Sequence, residues 1–425
     1  MASPPAPATP AMLNAIMPGR KCARSFARKI LTAIWIGYAS ISIAHADPNA
    51  LSLVSTSFDS IDKNIRFEVD FPGGKIDRLI ENGSDNFEIV IRPETDTSND
   101  SAWYAFRVHS KTSLEIKVRI RYEGGSHRYA PKISHDRVEW TPANHLIVSR
   151  HPGGREVTLK LPVSDKPLWV ASQELVNNKD IASWINDFDS KPFISNKEIG
   201  TSVNGRPIHS MTIGDPDASD SIFILSRQHP PEVTGTIGMM HFVETLCADT
   251  PLANQFRKLF QTSVVPIANP DGVAKGYWRA NANGVDLNRD WLHFTQPETK
   301  AIHDELISLR DREDGRMWLF LDFHSTFNEV FYTAPIQNNL FPAGFTKDWL
   351  AAIDERMPSF DVLREEGHNA HRATSKAWVA RELGIHAITY EFGDETDRER
   401  IRDIATQSAE EMMKLLIARK TDESK

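Results

Sequence analysis

The chain has 425 residues, 40% of them hydrophobic, enough for one large domain or two ordinary ones. A formal charge of −8 with both signs interspersed argues against nucleic acid as a partner. Two cysteines, Cys22 and Cys247, exclude a disulfide framework and a cysteine-rich metal centre.

Residues 1–46 read as an export signal. Arg20, Lys21, Arg24, Arg28 and Lys29 form a basic region, residues 30–43 are apolar but too short to span a bilayer comfortably, and Ala44-His45-Ala46 fits a cleavage site. The expected product is an exported, periplasmic or secreted protein that starts at Asp47 and has no stable membrane span; retention of the segment as an anchor is the alternative. Cleavage removes five basic residues and leaves a more acidic chain with one thiol.

Residues 47–168 read as an all-β sandwich domain. Residues 65–71 alternate with period two and meet Pro72-Gly73-Gly74, and similar runs follow at 87–91, 103–108 and 114–120. Gly, Ser, Asn and Asp clusters separate them at sandwich spacing. No cluster there carries chemistry, so the domain reads as a structural or substrate-positioning module.

Residues 169–425 change character. Helical patterns such as 181–188 alternate with apolar runs such as 222–226, which argues an α/β domain with a parallel or mixed sheet. His229-Pro230-Pro231-Glu232 follows the 222–226 run, so His229 is expected beyond the carboxyl end of a strand, where open α/β sheets bind ligands. Glu232 is expected in the first turn of a helix with the stripe Val233, Ile237, Met240 and Val243. Residues 317–323 read as a second buried strand, which His324 ends. A His and a Glu three apart plus a distant His give two nitrogens and one carboxylate, the ligand set of a catalytic zinc with one position open. His-x-x-Glu alone is a weak signal; His324 strengthens it.

Further motifs handle charge. Asn269-Pro270-Asp271-Gly272 reads as a turn. In the segment 277–291, Arg289 with Asn288 would hold a terminal carboxylate, and Arg279 would face a scissile carbonyl and stabilise its oxyanion. Asp286 is the candidate partner for the second ring nitrogen of His229, or a loop-capping residue. Residues 387–393 read as a strand that carries Glu391 among apolar neighbours. A carboxylate there needs a partner or a task, and Glu391 is the candidate general base, with Asp394 and Glu395 as fallbacks.

The ordered set His229-x-x-Glu232, Arg279, Asn288-Arg289, His324 and Glu391 resembles the M14 zinc carboxypeptidases over about residues 170–415. The β-rich region before it and the wording Val285-Asp286-Leu287-Asn288-Arg289 resemble the cytosolic-carboxypeptidase subfamily; the export signal would make this an exported bacterial member. The resemblance implies a carboxypeptidase-like α/β/α domain with a mixed sheet, one Zn2+ per chain, and hydrolysis at the free C-terminal tails of peptides or proteins. Two departures stand out. The family's substrate-covering tyrosine is missing from Gly367-His368-Asn369-Ala370-His371, where only His368 or His371 could stand in. Matching Trp378 puts Lys376 at or near the floor of the side-chain pocket, where a cation would favour a C-terminal Glu or Asp.

An exported member could instead act as an amidase or carboxypeptidase on peptidoglycan stem peptides, which also end in free carboxylates. A reading from another class is a non-catalytic, zinc-containing binding protein; the presence of Glu391 and the arginine clamp argues against it. Acyl-amino-acid deacylases share the metal pattern but fit the β-domain less well. No feature of the sequence bears on oligomeric state.

Overall fold

Period-two burial organises the first part of the computed structural model, which describes residues 50–52, 57–96, 100–335 and 339–423. The expected export signal, 1–46, lies outside the described residues. No described helix is long and apolar enough to cross a membrane. The strands are β1 (Ala50–Ser52), β2 (Ser57–Asp59), β3 (Ile65–Glu68), β4 (Arg78–Gly83), β5 (Asn86–Ile91), β6 (Ala105–Ser110), β7 (Leu114–Tyr122), β8 (Lys132–Ser134), β9 (Thr141–Pro142), β10 (Ile147–Arg150), β11 (Glu156–Val163) and β12 (Leu168–Ala171). They form two sheets, ordered β1-β4-β5-β7-β11-β10 and β2-β3-β6-β12-β8-β9. In β7, Ile116, Val118 and Ile120 are buried while Glu115, Lys117 and Arg119 face out, as one covered sheet face requires. Phe67 packs on Phe87 and Phe106, at centroid distances of 5.0 and 5.8 Å, joining the two sheets in one core. The expected break at 168/169 falls inside β12, which pairs with β6 and β8.

The second part is built on an eight-stranded mixed sheet. Its strands are β13 (Ile194–Thr201), β14 (Pro207–Ile213), β15 (Asp220–Ser226), β16 (Phe260–Val265), β17 (Met317–Thr326), β18 (Val330–Thr333), β19 (Arg364–Glu366) and β20 (His386–Gly393), in the order β13-β14-β16-β15-β17-β20-β18-β19. The central four, β16-β15-β17-β20, are parallel, and β14 and β18 flank them antiparallel. Central strands of this kind are buried on both faces. Ile222 and Ile224 face one core while Phe223 and Leu225 face the other, and Leu319, Leu321 and Phe323 alternate with Phe320 in the same way.

Helices cover both faces. On the Ile222 face lie α1 (Asn178–Asn186), α2 (Val233–Leu246), α3 (Pro251–Leu259), and, later in the chain, α6 (Phe345–Arg356) and α8 (Arg398–Glu423). The opposite face carries α5 (Pro297–Arg310) and α7 (Ser375–Glu382). This is the α/β/α arrangement the sequence leads one to expect.

Local details differ. Asn269-Pro270-Asp271-Gly272 is not a free turn but the start of α4 (Pro270–Lys275). The Asn269 side chain accepts from Gly272 N at 2.9 Å, and proline fits the first helical position, so the segment nucleates a helix. β17 does not stop before His324 but continues to Thr326, because its last residues keep pairing with Glu391, Phe392 and Gly393 of β20. Glu232 sits at the N-cap position of α2 rather than in its first turn. That helix buries Met239 and Phe242 as well as Val233 and Val243, and leaves Met240 half-buried, because it lies between the sheet and α8.

Candidate active site

The sheet topology creates the crevice. From β15 the chain goes through α2 and α3 to β16 on one side, then crosses to β17 on the other side of β15. At such a switch point the loops leaving the carboxyl ends diverge and leave a cleft. His229 stands three residues beyond β15, and His324 lies near the carboxyl end of β17.

Glu232 does not cap its helix with its side chain. It turns both oxygens to the histidines: Oε1 lies 2.8 Å from His229 Nδ1, and Oε2 lies 2.6 Å from His324 Nδ1. All three residues are buried. The outer ring nitrogens are engaged as well. His229 Nε2 lies 3.0 Å from Asp286 Oδ1, and His324 Nε2 lies 3.0 Å from Asp322 Oδ2. The carboxylates fix both rings so that their Nδ1 atoms converge on Glu232.

Burial would raise the Glu232 carboxyl, but the imidazoles of His229 and His324 hold it well below the ordinary carboxylate range. Burial would lower His324, but Asp322 and Glu232 raise it well above an ordinary histidine. One ligand atom from each residue lies within 4.8 Å of the other two. Two imidazole nitrogens and one carboxylate suit a four-coordinate zinc with one open position, so the donor set fits that ion. Binding would displace the protons now shared along the triad.

Glu391 is placed by register. In the parallel β17–β20 pair, His324 is opposite Glu391 and Asp322 is opposite Thr389, so all four side chains share the α5/α7 face. Glu391 Oε2 is inaccessible and has no hydrogen-bond partner among the described residues. Burial pushes the Glu391 carboxyl up to about 8; His324 opposes this, and Glu232, Asp322 and Asp394 add to it. A cation on the adjoining triad favours the ionised form.

The triad and Glu391 line a cavity of about 200 Å³ together with Arg279, Asn288, Arg289 and Lys376, so every expected site residue except Asp286 reaches its wall. Asp286 stands behind it, bridging His229 and Arg279; Arg279 Nε donates to Asp286 Oδ2 at 2.6 Å. Asn288 Oδ1 accepts from Ser375 N at 3.0 Å, and Arg289 Nη1 donates to the Asn288 carbonyl at 2.6 Å. Buried Lys376 donates from Nζ to the His368 carbonyl at 2.7 Å. Burial lowers its ammonium to about 8, against the pull of Glu391, Asp322 and Glu365. The fallback carboxylates are otherwise occupied. Asp394 pairs with Arg128 at 2.8 Å, and Glu395 accepts from Ala130 N at 2.8 Å and Lys132 Nζ at 2.9 Å.

Four residues carry a site role that the sequence reading does not give them. Asp322 accepts from Gln228 Nε2 at 2.7 Å and from the Ser375 hydroxyl besides facing His324. Two residues before a ligand on one strand face, it was available to period-two reasoning. Asn269 joins the metal loop to the Arg279 loop by donating to the carbonyls of Gln228 and Ala280, at 3.2 and 3.0 Å. Tyr332 enters the cavity from β18, stacked on His368 at 4.1 Å. Its phenol is pushed up to about 12 by burial and by the charges of Glu391 and Glu365. His371, by contrast, is exposed. Arg128 comes from the β-domain and forms part of the cavity wall.

This geometry agrees with what comparison with known proteins finds. Residues 181–412 match the family model described as zinc carboxypeptidase, and residues 67–171 match the one described as the cytosolic carboxypeptidase N-terminal domain. The chain belongs to the M14 zinc carboxypeptidase family. It is similar to cytosolic carboxypeptidase 6 of Caenorhabditis elegans, 24% identical over 291 residues that cover 62% of each protein. It is also similar to cytosolic carboxypeptidase 2 of Xenopus tropicalis, 26% identical over 306 residues. That match covers 63% of this chain and 31% of the frog protein, so the chain spans less than two thirds of the length of these relatives. In fold it is similar to a metallo-carboxypeptidase from Burkholderia cenocepacia, with a TM-score of 0.69 at 20% identity, covering 84% of this chain and all of that one. A metallo-carboxypeptidase from Pseudomonas aeruginosa has a TM-score of 0.67 at 20% identity, over 82% of this chain and 98% of that one.

The Asp322–His324 pair generates a prediction. Asp322→Asn should weaken zinc binding by about 10- to 100-fold, the usual cost of removing a ligand's outer partner. Competition with a chromophoric chelator measures this, and an unchanged affinity would remove Asp322 from the metal site.

Proposed function

We propose that the protein is a zinc metallocarboxypeptidase that removes the C-terminal residue of peptides or proteins. The observation that carries this reading is Glu391. It is a carboxylate with a buried oxygen that has no partner among the described residues, in register with a metal-ligating histidine, on a cavity also lined by Asn288 and Arg289. Asn288 and Arg289 hold the substrate's terminal carboxylate and so restrict cleavage to chain ends. Arg279, anchored through Nε on Asp286, turns its remaining N–H groups to the oxygen on which charge develops. Zinc on His229, Glu232 and His324 supplies Lewis acidity when bound. Glu391 accepts a proton from the attacking water at its free oxygen and returns it to the leaving amine.

Glu391→Gln should keep its zinc and lose on the order of 10²–10⁴ in kcat, the span attributed to acid–base catalysis. Release of the C-terminal residue from peptides ending in Glu, Asp, Leu, Lys or D-Ala and from a muropeptide, each with and without a chelator, checks it. Activity of Glu391→Gln near the parent level would sink the assignment, and cleavage of the muropeptide alone would move the substrate to the cell wall.

Lys376 supports an acidic preference within this reading, because its buried ammonium has no carboxylate within ion-pair distance among the described residues and reaches the same cavity. The ammonium is charged below about 8 and neutral above it. KM for a Glu-terminated peptide should therefore rise as pH climbs through 8, while KM for a Leu-terminated peptide stays level. Lys376→Met should cut kcat/KM for the Glu peptide by about 10- to 100-fold, the worth of one charge-assisted hydrogen bond. Equal pH profiles for the two peptides would dissociate Lys376 from specificity.

Export belongs to the same proposal and is supported by the basic, apolar and small-residue order of residues 1–46. Expression of the full chain in a bacterium should yield a periplasmic or secreted form whose N-terminal sequence starts at Asp47. Retention of residues 1–46 in the recovered protein would count against it.

A further inference from the structure

We infer that Glu94, in the loop after β5 of the sandwich domain, is a positioning residue for the oxyanion arginine, Arg279. The inference rests on the role given to Arg279 above. One oxygen of Glu94 accepts from Trp278 N at 2.7 Å, and the other accepts from Arg279 N at 2.8 Å and from Ala280 N. Three successive backbone N–H groups converge on one carboxylate, an anion nest filled by a side chain from another domain. The middle one belongs to Arg279 itself.

Residues 278–280 belong to no helix or strand, so their N–H groups need a partner from outside the segment. The sandwich supplies it and grips the segment on both sides. Gly73 N donates to the Ala274 carbonyl at 2.9 Å, and Trp278 is fully buried in the sandwich core. A Cβ at Gly125 would lie 2.6 Å from the Trp278 ring, and one at Gly276 would lie 2.7 Å from the Trp103 ring. Glu94 thus fixes the main chain of Arg279 while Asp286 fixes its Nε, and the rest of the guanidinium is aimed into the cavity. Glu94 touches no substrate; it acts through Arg279.

The test is a double-mutant cycle on the full-length zinc enzyme, with kcat and KM measured on a peptide substrate and amide hydrogen exchange followed over residues 276–282. Glu94→Gln replaces an acceptor with an N–H₂ that repels the nest. It should lower kcat by about 10- to 100-fold, the scale for a misplaced oxyanion donor, with KM and zinc content nearly unchanged. Exchange at 278–280 should quicken while the sandwich strands stay protected. Glu94→Asp, which keeps the charge, should recover part of the loss. In an Arg279→Ala background, Glu94→Gln should change kcat by less than about twofold, because residues that act as a unit are not additive. A full further loss in that background, an effect on KM alone, or unchanged exchange would overturn the inference. If Arg279→Ala alone leaves kcat intact, the oxyanion role itself fails, a different result from an inert Glu94→Gln.

Discussion

Glu232 keeps its charge in a place where burial would otherwise neutralise it, because each of its oxygens faces an imidazole nitrogen, at 2.8 and 2.6 Å. An isolated buried carboxylate would be costly, and so would an isolated buried imidazolium. Neither is isolated here: Asp286 and Asp322 stand behind the two rings and extend the pairing outward. This arrangement leaves two imidazole nitrogens and a carboxylate pointing at one another. Such a centre is poised for a divalent cation, which supplies the positive charge that shared protons supply in its absence.

The sheet makes this pairing geometrically possible. Parallel central strands bury both faces, and the crevice opens at their carboxyl ends, where the charged residues of this site gather. Asp322, His324, Thr389 and Glu391 occupy one face of two adjacent strands at that end, in two register positions one pair apart. On the other face Phe323, Tyr390 and Phe392 pack together, and the close-approach residue Gly235 of α2 is pressed on the main chain of His324. A Cβ at 235 would lie 2.2 Å from the His324 carbonyl oxygen, so the helix that begins at Glu232 is seated directly on the strand that carries His324. The two ends of the triad are thereby held at a fixed separation by backbone packing rather than by the ligands alone.

Much of this was legible before any coordinates. His229, Glu232 and His324 stand at or just beyond strand ends that hydrophobic runs announce, and Glu391 is conspicuous as a carboxylate inside an apolar strand. The α/β class and the preceding all-β domain follow from the same periodicities, and the family resemblance adds the α/β/α layering. Sequence reasoning stopped where a residue's role depends on a neighbour distant in the chain. Tyr332 reaches the cavity only because β18 folds back antiparallel onto β20, and Arg128 only because a sandwich loop lies against Asp394. The Asn269 segment looked like a turn because Asn, Pro, Asp and Gly favour turns and helix starts alike. A tertiary demand for carbonyl partners at Gln228 and Ala280 decides between them.

The sandwich domain showed no chemical motif in its sequence because its contributions are single residues serving another domain's backbone and cavity. Arg128 neutralises Asp394 beside the base strand, and burial with neighbouring carboxylates still leaves that acid pushed up to about 6. With Arg279, Arg289 and Lys376, the cavity wall carries four cationic side chains against the carboxylates of Glu232 and Glu391. Filling the triad with a divalent cation adds to that excess. On the proposed reading, an anionic chain end would be drawn in by this field and would remove charge from the arginines that receive it. Glu391 lies in register with His324, so a cation held by the triad would favour its ionised form independently of that loss. On that reading, attraction of a chain end and ionisation of Glu391 would draw on different cations, the arginines for one and the metal for the other.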